Sequence, residues 1–163
     1  MLKLTAKSNS QSLQEKIHAV RRWPVERYAQ LADFLIRNHG VRVIVFAGPE
    51  EREFVAKARS LFPPTTIFLD RLTIPQLASA QARLTLFISN DTGPMHIAAA
   101  VGTSVIVILD RPTPHSFTPV GDQHRVLCGA DVNDISVDRV YQVANELLSS
   151  NRTERLISRS KQK

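Results

Sequence analysis

Seven consecutive residues, Asn90-Asp91-Thr92-Gly93-Pro94-Met95-His96, gather the densest chemistry in the chain. Gly93 lets a ligand come close to the backbone, and Pro94 suits the first turn of a helix whose free N–H groups point back at the loop. Such a helix start is an anion site, fit for a phosphate or a pyrophosphate. Thr92 adds a hydroxyl, and His96, in the first turn, can reach the same anion. Asp91 suits a sugar hydroxyl or the N–H groups of its own loop. The same residue types also cap ordinary helices, and spacing alone does not choose between the two readings.

Two further stretches carry candidates. Gly48-Pro49-Glu50-Glu51 follows an apolar run, and a carboxylate at the carboxyl end of a strand can accept both hydroxyls of a ribose. First-turn acids equally serve the helix dipole. Arg21-Arg22-Trp23-Pro24 precedes the first clear helix; an arginine there can clamp a diphosphate with its planar fork, while Trp23 is expected in the core. The chain has no Gly-x-x-x-x-Gly-Lys loop, no Gly-x-Gly-x-x-Gly and no Gly-x-Ser-x-Gly elbow. Its five histidines never pair at metal-ligand spacing, so no metal site is expected.

These loops need a frame, and the hydrophobic pattern supplies one. Val25, Tyr28, Leu31, Ala32, Leu35 and Ile36 recur at helical spacing, closed by Gly40. Val41 to Ala47 is a β-branched, nearly continuous apolar run, as in a strand covered on both faces. A helix from Glu50 to Leu61 follows, stopped by Pro63-Pro64. Strands are expected at Thr66–Leu69, Leu84–Ser89, Ser104–Leu109 and Arg125–Cys128. Helices are expected at Ile74–Ala82, Pro94–Val101 and Val137–Leu148. Strand and helix alternate with short connections, which specifies a doubly wound parallel α/β sheet with its ligands at the carboxyl ends of the strands.

Composition agrees with one such domain. The chain has 163 residues and is 43% hydrophobic, enough for a core and too short for two ordinary domains. No apolar run approaches the roughly 20 residues that span a bilayer, and a single cysteine, Cys128, excludes an internal disulfide; a cytosolic address is expected. The net charge of +6 sits at the ends. Residues 1–22 and 151–163 each carry +4, which leaves the body at −2. A nucleic-acid binder carries its positive charge on the folded surface, so no nucleic-acid partner is expected. The chain therefore divides into an atypical segment 1–22 that can include a first strand, a domain 23–149, and a basic tail 150–163 expected to be disordered.

Arg21-Arg22-Trp23-Pro24, Phe46-Ala47-Gly48-Pro49-Glu50-Glu51 and Asn90-Asp91-Thr92-Gly93-Pro94-Met95-His96-Ile97-Ala98-Ala99-Ala100, in that order and spacing, resemble the C-terminal half of glycosyltransferase family 9, the lipopolysaccharide heptosyltransferases. The resemblance covers about Arg21 to Leu148. It implies the Rossmann-like C-terminal lobe of a two-lobed GT-B enzyme that holds a nucleotide sugar, usually ADP-heptose. It also implies metal-independent, inverting transfer to the lipopolysaccharide inner core at the cytoplasmic face of a Gram-negative inner membrane, with no cofactor besides the donor. By position, Arg21 matches a lysine that neutralises donor phosphate. Glu50, with Glu51 beside it, matches the ribose-binding carboxylate. Asp91, Thr92, Gly93 and His96 match the loop and helix start that meet the diphosphate and the sugar.

The sequence departs from that pattern in three places. An N-terminal lobe, with its acceptor site and carboxylate base, has no counterpart here, so no catalytic residue is assigned and the chain alone is expected to be inactive. The loop after Leu109 reads Asp110-Arg111-Pro112-Thr113-Pro114, one residue shorter than the family's Phe-Gly-Pro-Thr-Asp-Pro and without its glycine. The opening Leu2-Lys3-Leu4-Thr5-Ala6 leads into a polar stretch, not a Gly- or Ala-containing turn. The rival reading is a non-enzymatic nucleotide-binding module acting through a partner protein.

Overall fold

A computed structural model of the chain describes residues 22–48, 52–110 and 118–160, with side chains in 22–48, 55–110 and 118–150. Helix α1 (Val25–His39) buries Tyr28, Ala29, Leu31, Ala32 and Leu35 on one stripe. It ends where Gly40, at φ 61°, turns its N–H back to the Ile36 carbonyl, a left-handed stop that glycine adopts at no steric cost. Strand β1 (Ile44–Phe46), helix α2 (Arg52–Leu61) and strand β2 (Ile67–Leu69) follow. Helix α3 (Ile74–Gln81) is opened by a reciprocal cap: the Gln76 N–H donates to the Thr73 hydroxyl, and the Thr73 N–H donates to Oε1 of Gln76. Then come β3 (Leu86–Asn90), α4 (Gly93–Ala100), β4 (Ser104–Leu109), β5 (Arg125–Cys128), a 3-10 turn (Val132–Asp134) and α5 (Val137–Ser160).

All described strand pairs are parallel, in two ladders, β1–β2 and β3–β4–β5. Strand side chains alternate between faces, and both ladders send them to the same two cores. Val43, Val45, Leu86, Ile88, Ile106, Ile108 and Leu127 pack with α1 and α5. Ile44, Phe46, Phe87, Val105, Val107 and Leu109 pack with α4 on the other side. The result is the expected layered, Rossmann-like α/β arrangement, with β3 and β4 buried along their whole length.

Two boundaries differ from expectation by more than two residues. The first strand is three residues, not seven; Val43 lies beyond its end, although its carbonyl still accepts from the Ile67 N–H. The closing helix does not stop at Leu148, and the disordered tail expected from residue 150 is instead helical backbone as far as Ser160. Between Ser149 and Ser160 there is neither proline nor glycine to break it. Among the described residues no helix is long and apolar enough to cross a membrane.

Candidate site at the carboxyl ends of the strands

The loop from β3 into α4 places Asp91, Thr92 and Gly93 at the carboxyl edge of the sheet. The start of α4 is fixed from behind. Gln81, wholly buried, donates its side-chain N–H to the Pro94 carbonyl at 3.0 Å, and the Thr103 hydroxyl donates to the Gln81 carbonyl at 2.6 Å. Met95 and Ala98 are buried in the second core. The front of the helix is different. Thr92 occupies the cap position with extended backbone, φ −148° and ψ 154°, yet its side chain makes no cap hydrogen bond. Its hydroxyl oxygen is buried and has no hydrogen-bond partner. The contrast with Thr73, which caps α3, is direct. Thr92 is thus not used as an ordinary cap, and the partial positive charge of the helix start meets no side-chain oxygen from it.

Gly93 completes the picture. Its φ lies outside the left-handed region, and a Cβ built on it would have no atom within 4 Å. Neither backbone conformation nor internal packing requires glycine there, so the absence of a side chain leaves open approach to the helix start. Asp91 and His96 stand on the exposed rim with Oδ1 and Nε2 3.8 Å apart. At that distance and exposure the pair contributes little to stability and both side chains stay available to a ligand.

Beneath the rim lies Asn90, 5% exposed. Its Oδ1 accepts from the Trp23 backbone N–H and the Tyr28 hydroxyl, both at 3.1 Å, and its Nδ2 donates to the Ile108 carbonyl at 2.8 Å. Trp23 is core, as expected: its ring packs edge-on to Tyr28 at 4.7 Å, and its Nε1 donates to the Ile135 carbonyl at 2.7 Å. Burial pushes the Tyr28 hydroxyl well above its ordinary range, so it stays a donor. The half-buried Arg22, next to Trp23, bears electrostatically on Tyr28.

Asp91, Thr92, Gly93 and His96 therefore come together with the start of α1. Arg21, Glu50 and Glu51, the phosphate and ribose candidates, lie outside the described residues, as does the loop at 111–117. Asn90 and Tyr28 were not singled out by sequence reasoning. An asparagine just before Asp-Thr-Gly reads as one more capping residue, although its place at the end of an unbroken apolar strand is the signal that would have marked it as buried. Among the described residues no three His, Cys, Asp or Glu side chains gather as a metal site would require.

Comparison with known proteins gives this arrangement a setting. The sequence profile of glycosyltransferase family 9 (heptosyltransferase) matches residues 13–146. The lipopolysaccharide core heptosyltransferase OpsX of Haemophilus influenzae is 32% identical over 113 residues, which is 67% of this chain and 32% of that protein. The lipopolysaccharide heptosyltransferase 3 of Escherichia coli is 30% identical over 100 residues, 58% of this chain and 28% of that one. Among solved structures, a family 9 glycosyl transferase from Veillonella parvula superposes with a TM-score of 0.75 at 24% identity, covering 92% of this chain and 46% of its own. The E. coli ADP-heptose lipopolysaccharide heptosyltransferase II gives 0.75 at 21%, covering 93% and 47%. The chain thus spans about a third of the length of those curated relatives and about half of those solved chains. A match across residues 13–146, on a Rossmann-like α/β frame with its loops at the sheet's carboxyl edge, places the chain in glycosyltransferase family 9, the heptosyltransferases.

Proposed function

We propose that this chain is the donor-binding lobe of a heptosyltransferase-type enzyme, taking ADP-heptose or a similar nucleotide sugar for transfer to the inner core of lipopolysaccharide. The observation that carries the reading is the start of α4, where the Thr92 hydroxyl is buried without a partner and the space beside Gly93 is open. An anion seated there receives backbone N–H groups and the Thr92 hydroxyl together. A relative of the same fold, the E. coli heptosyltransferase WaaC, has been solved with ADP, which supports a nucleotide diphosphate as the anion.

In this reading Arg21 neutralises the donor phosphates, Glu50 or Glu51 takes the ribose hydroxyls, and Asp91 and His96 meet the sugar and its diphosphate. Transfer is inverting and metal-free. The acceptor hydroxyl oxygen attacks the anomeric carbon on the face opposite the diphosphate, the bond from that carbon to the phosphate oxygen breaks, and its electron pair leaves with ADP. The helix start, Arg21 and His96 stabilise the charge that grows on the departing phosphate, the kind of preorganised help that is typically the largest catalytic term. The base that takes the acceptor proton belongs to a second, acceptor-binding lobe, in cis or on another chain, so this stretch alone binds donor and does not turn over.

Calorimetric titration with ADP tests the reading. Heat at millimolar nucleotide is expected, with low affinity because one lobe leaves the ligand half-exposed; folded protein that gives no heat refutes it. Binding without transfer, after an acceptor lobe from a relative is supplied, favours the non-enzymatic nucleotide-binding module instead. The +4 of residues 151–163 adds weak peripheral attraction to anionic membrane, at most about 1 kcal/mol per basic residue. Truncation after Ser150 should abolish salt-sensitive vesicle co-sedimentation and leave nucleotide binding intact.

A further inference from the structure

Three segments that are distant in sequence meet at one amide. Asn90 lies 67 residues from Trp23, 62 from Tyr28 and 18 from Ile108, and bonds to all three. Two of these segments adjoin candidates for donor contact, Arg21 and the Asp91–Gly93 turn, and the third leads out of β4. Trp23 is preceded by Arg21-Arg22, Asn90 is followed by Asp91-Thr92-Gly93, and Ile108 is followed by Leu109 and Asp110. The main-chain carbonyl of Asn90 is engaged as well, by the Ser89 hydroxyl at 2.7 Å.

An apolar side chain here would leave the Trp23 N–H and the Tyr28 hydroxyl without their acceptor and the Ile108 carbonyl without this donor, a loss for stability as well as for position. Nor can hydrocarbon set distances. An amide that accepts twice and donates once fixes all three neighbours at hydrogen-bond length, and no other side chain of this size offers both functions at neutral pH. A carboxylate would keep both acceptor contacts and lose the donor to Ile108.

We propose that Asn90 is a positioning residue, whose side-chain amide sets the spacing of the α1 start, the Asp91–Gly93 turn and the end of β4, so that the groups meeting the nucleotide sugar are presented as one preformed set. The proposal rests on the donor-binding reading above and adds the residue on which its preorganisation depends.

The test uses the full chain and the variants Asn90→Asp and Tyr28→Phe, with ADP affinity by calorimetry at pH 8 and pH 5.5. Trp23, the single tryptophan, is the spectroscopic reporter of the α1 start. A carboxyl buried against a carbonyl oxygen takes up its proton above the usual carboxylate range, and once neutral it can donate to Ile108 again. Arg22, Asp91, His96 and Asp110 surround the site in every variant, so each affinity is referred to the wild type at the same pH. For Asn90→Asp we expect a Kd raised tenfold or more at pH 8 and within threefold of wild type at pH 5.5. For Tyr28→Phe, which removes one donor from the same oxygen, we expect a two- to fivefold loss that pH does not change. A Kd like the wild type's at both pH values overturns the proposal, as does an equal loss at both, or a lowered melting temperature with unchanged affinity. Should Asn90→Asp not fold, Tyr28→Phe decides: unchanged affinity and unchanged acrylamide quenching of Trp23 overturn the proposal. If wild type binds no ADP, the donor reading fails, and Asn90 is judged on Trp23 alone. Emission of Asn90→Asp that shifts to the red at pH 8 and returns at pH 5.5 supports it, and emission identical to wild type at both overturns it.

Discussion

Thr92→Val is the substitution whose sign separates ligand binding from helix capping. Valine matches threonine in shape, tolerates the extended backbone that Thr92 adopts, and replaces the hydroxyl by a methyl. Were Thr92 a working cap, its loss would cost about 1 kcal/mol. The hydroxyl oxygen is, however, buried and without a partner, and a buried group in that condition carries a penalty of about 1–3 kcal/mol. Removing it should therefore stabilise the free protein by about 1 kcal/mol, taking the low end because the surrounding loop can relax. In a domain of this size that raises the melting temperature by roughly 2–4 °C. Nucleotide affinity should move the other way. A hydrogen bond to a charged phosphate is worth about 1.5–3 kcal/mol, so Kd should rise at least about tenfold. Differential scanning calorimetry without ligand and isothermal titration with ADP measure the two effects on the same preparation. A lower melting temperature with unaltered ADP affinity would refute the reasoning, since Thr92 would then be a structural cap.

Three further outcomes follow from the same geometry. Gly93→Ala meets no atom within 4 Å and no left-handed backbone, so it should leave the melting temperature unchanged or slightly raised, while ADP binding falls at least about tenfold as the methyl fills the approach; retained affinity would show that the helix start is not the anion site. Trp23→Phe removes the 2.7 Å bond to the Ile135 carbonyl, but that oxygen keeps Arg27 at 3.0 Å, so the cost in urea unfolding should be about 2–3 kcal/mol, below the about 3–5 typical of a large aromatic truncated to alanine. A cost above that would mean Arg27 does not satisfy the carbonyl. His124 is buried, with Nδ1 accepting from the Val105 N–H, and burial lowers its pKa from the ordinary 6.5. The unfolded chain then binds the proton more readily. Stability is full above about pH 6.5 and erodes as pH falls below it, and His124→Gln should flatten that slope in urea titrations between pH 7 and 5.

What the sequence disclosed and what it hid divide along physical lines. Strand β4 was legible residue for residue because six consecutive buried positions leave no alternative to a covered strand. Helix α1 was legible at its end because Gly40 alone suits a left-handed stop. The extension of α5 to Ser160 was not, since its apolar stripe lapses after Leu148 and periodicity follows burial, not backbone. At the site, residue types singled out the β3–α4 loop, and the structure sets Asp91, Thr92, Gly93 and His96 side by side at the start of α4. Whether Thr92 caps its helix depends on a side-chain torsion, which spacing does not encode. The role of Asn90 depends on partners 18 to 67 residues away, beyond any local pattern.

The bond between the Trp23 ring and the Ile135 carbonyl joins positions 112 residues apart, and α1 shares its core with Val140, Ala144 and Leu147 of α5. During synthesis the first described helix therefore waits for the last. Its apolar face, carrying Leu31 and Leu35, has no complete partner until the ribosome has passed Leu147, roughly ten seconds later at ordinary elongation rates. Closure over so long a loop is entropically costly and puts this topology among the slower folders. The nascent chain should accordingly present a sticky helix to holding chaperones until Leu147 has been made, and this domain should fold only after α5 has docked.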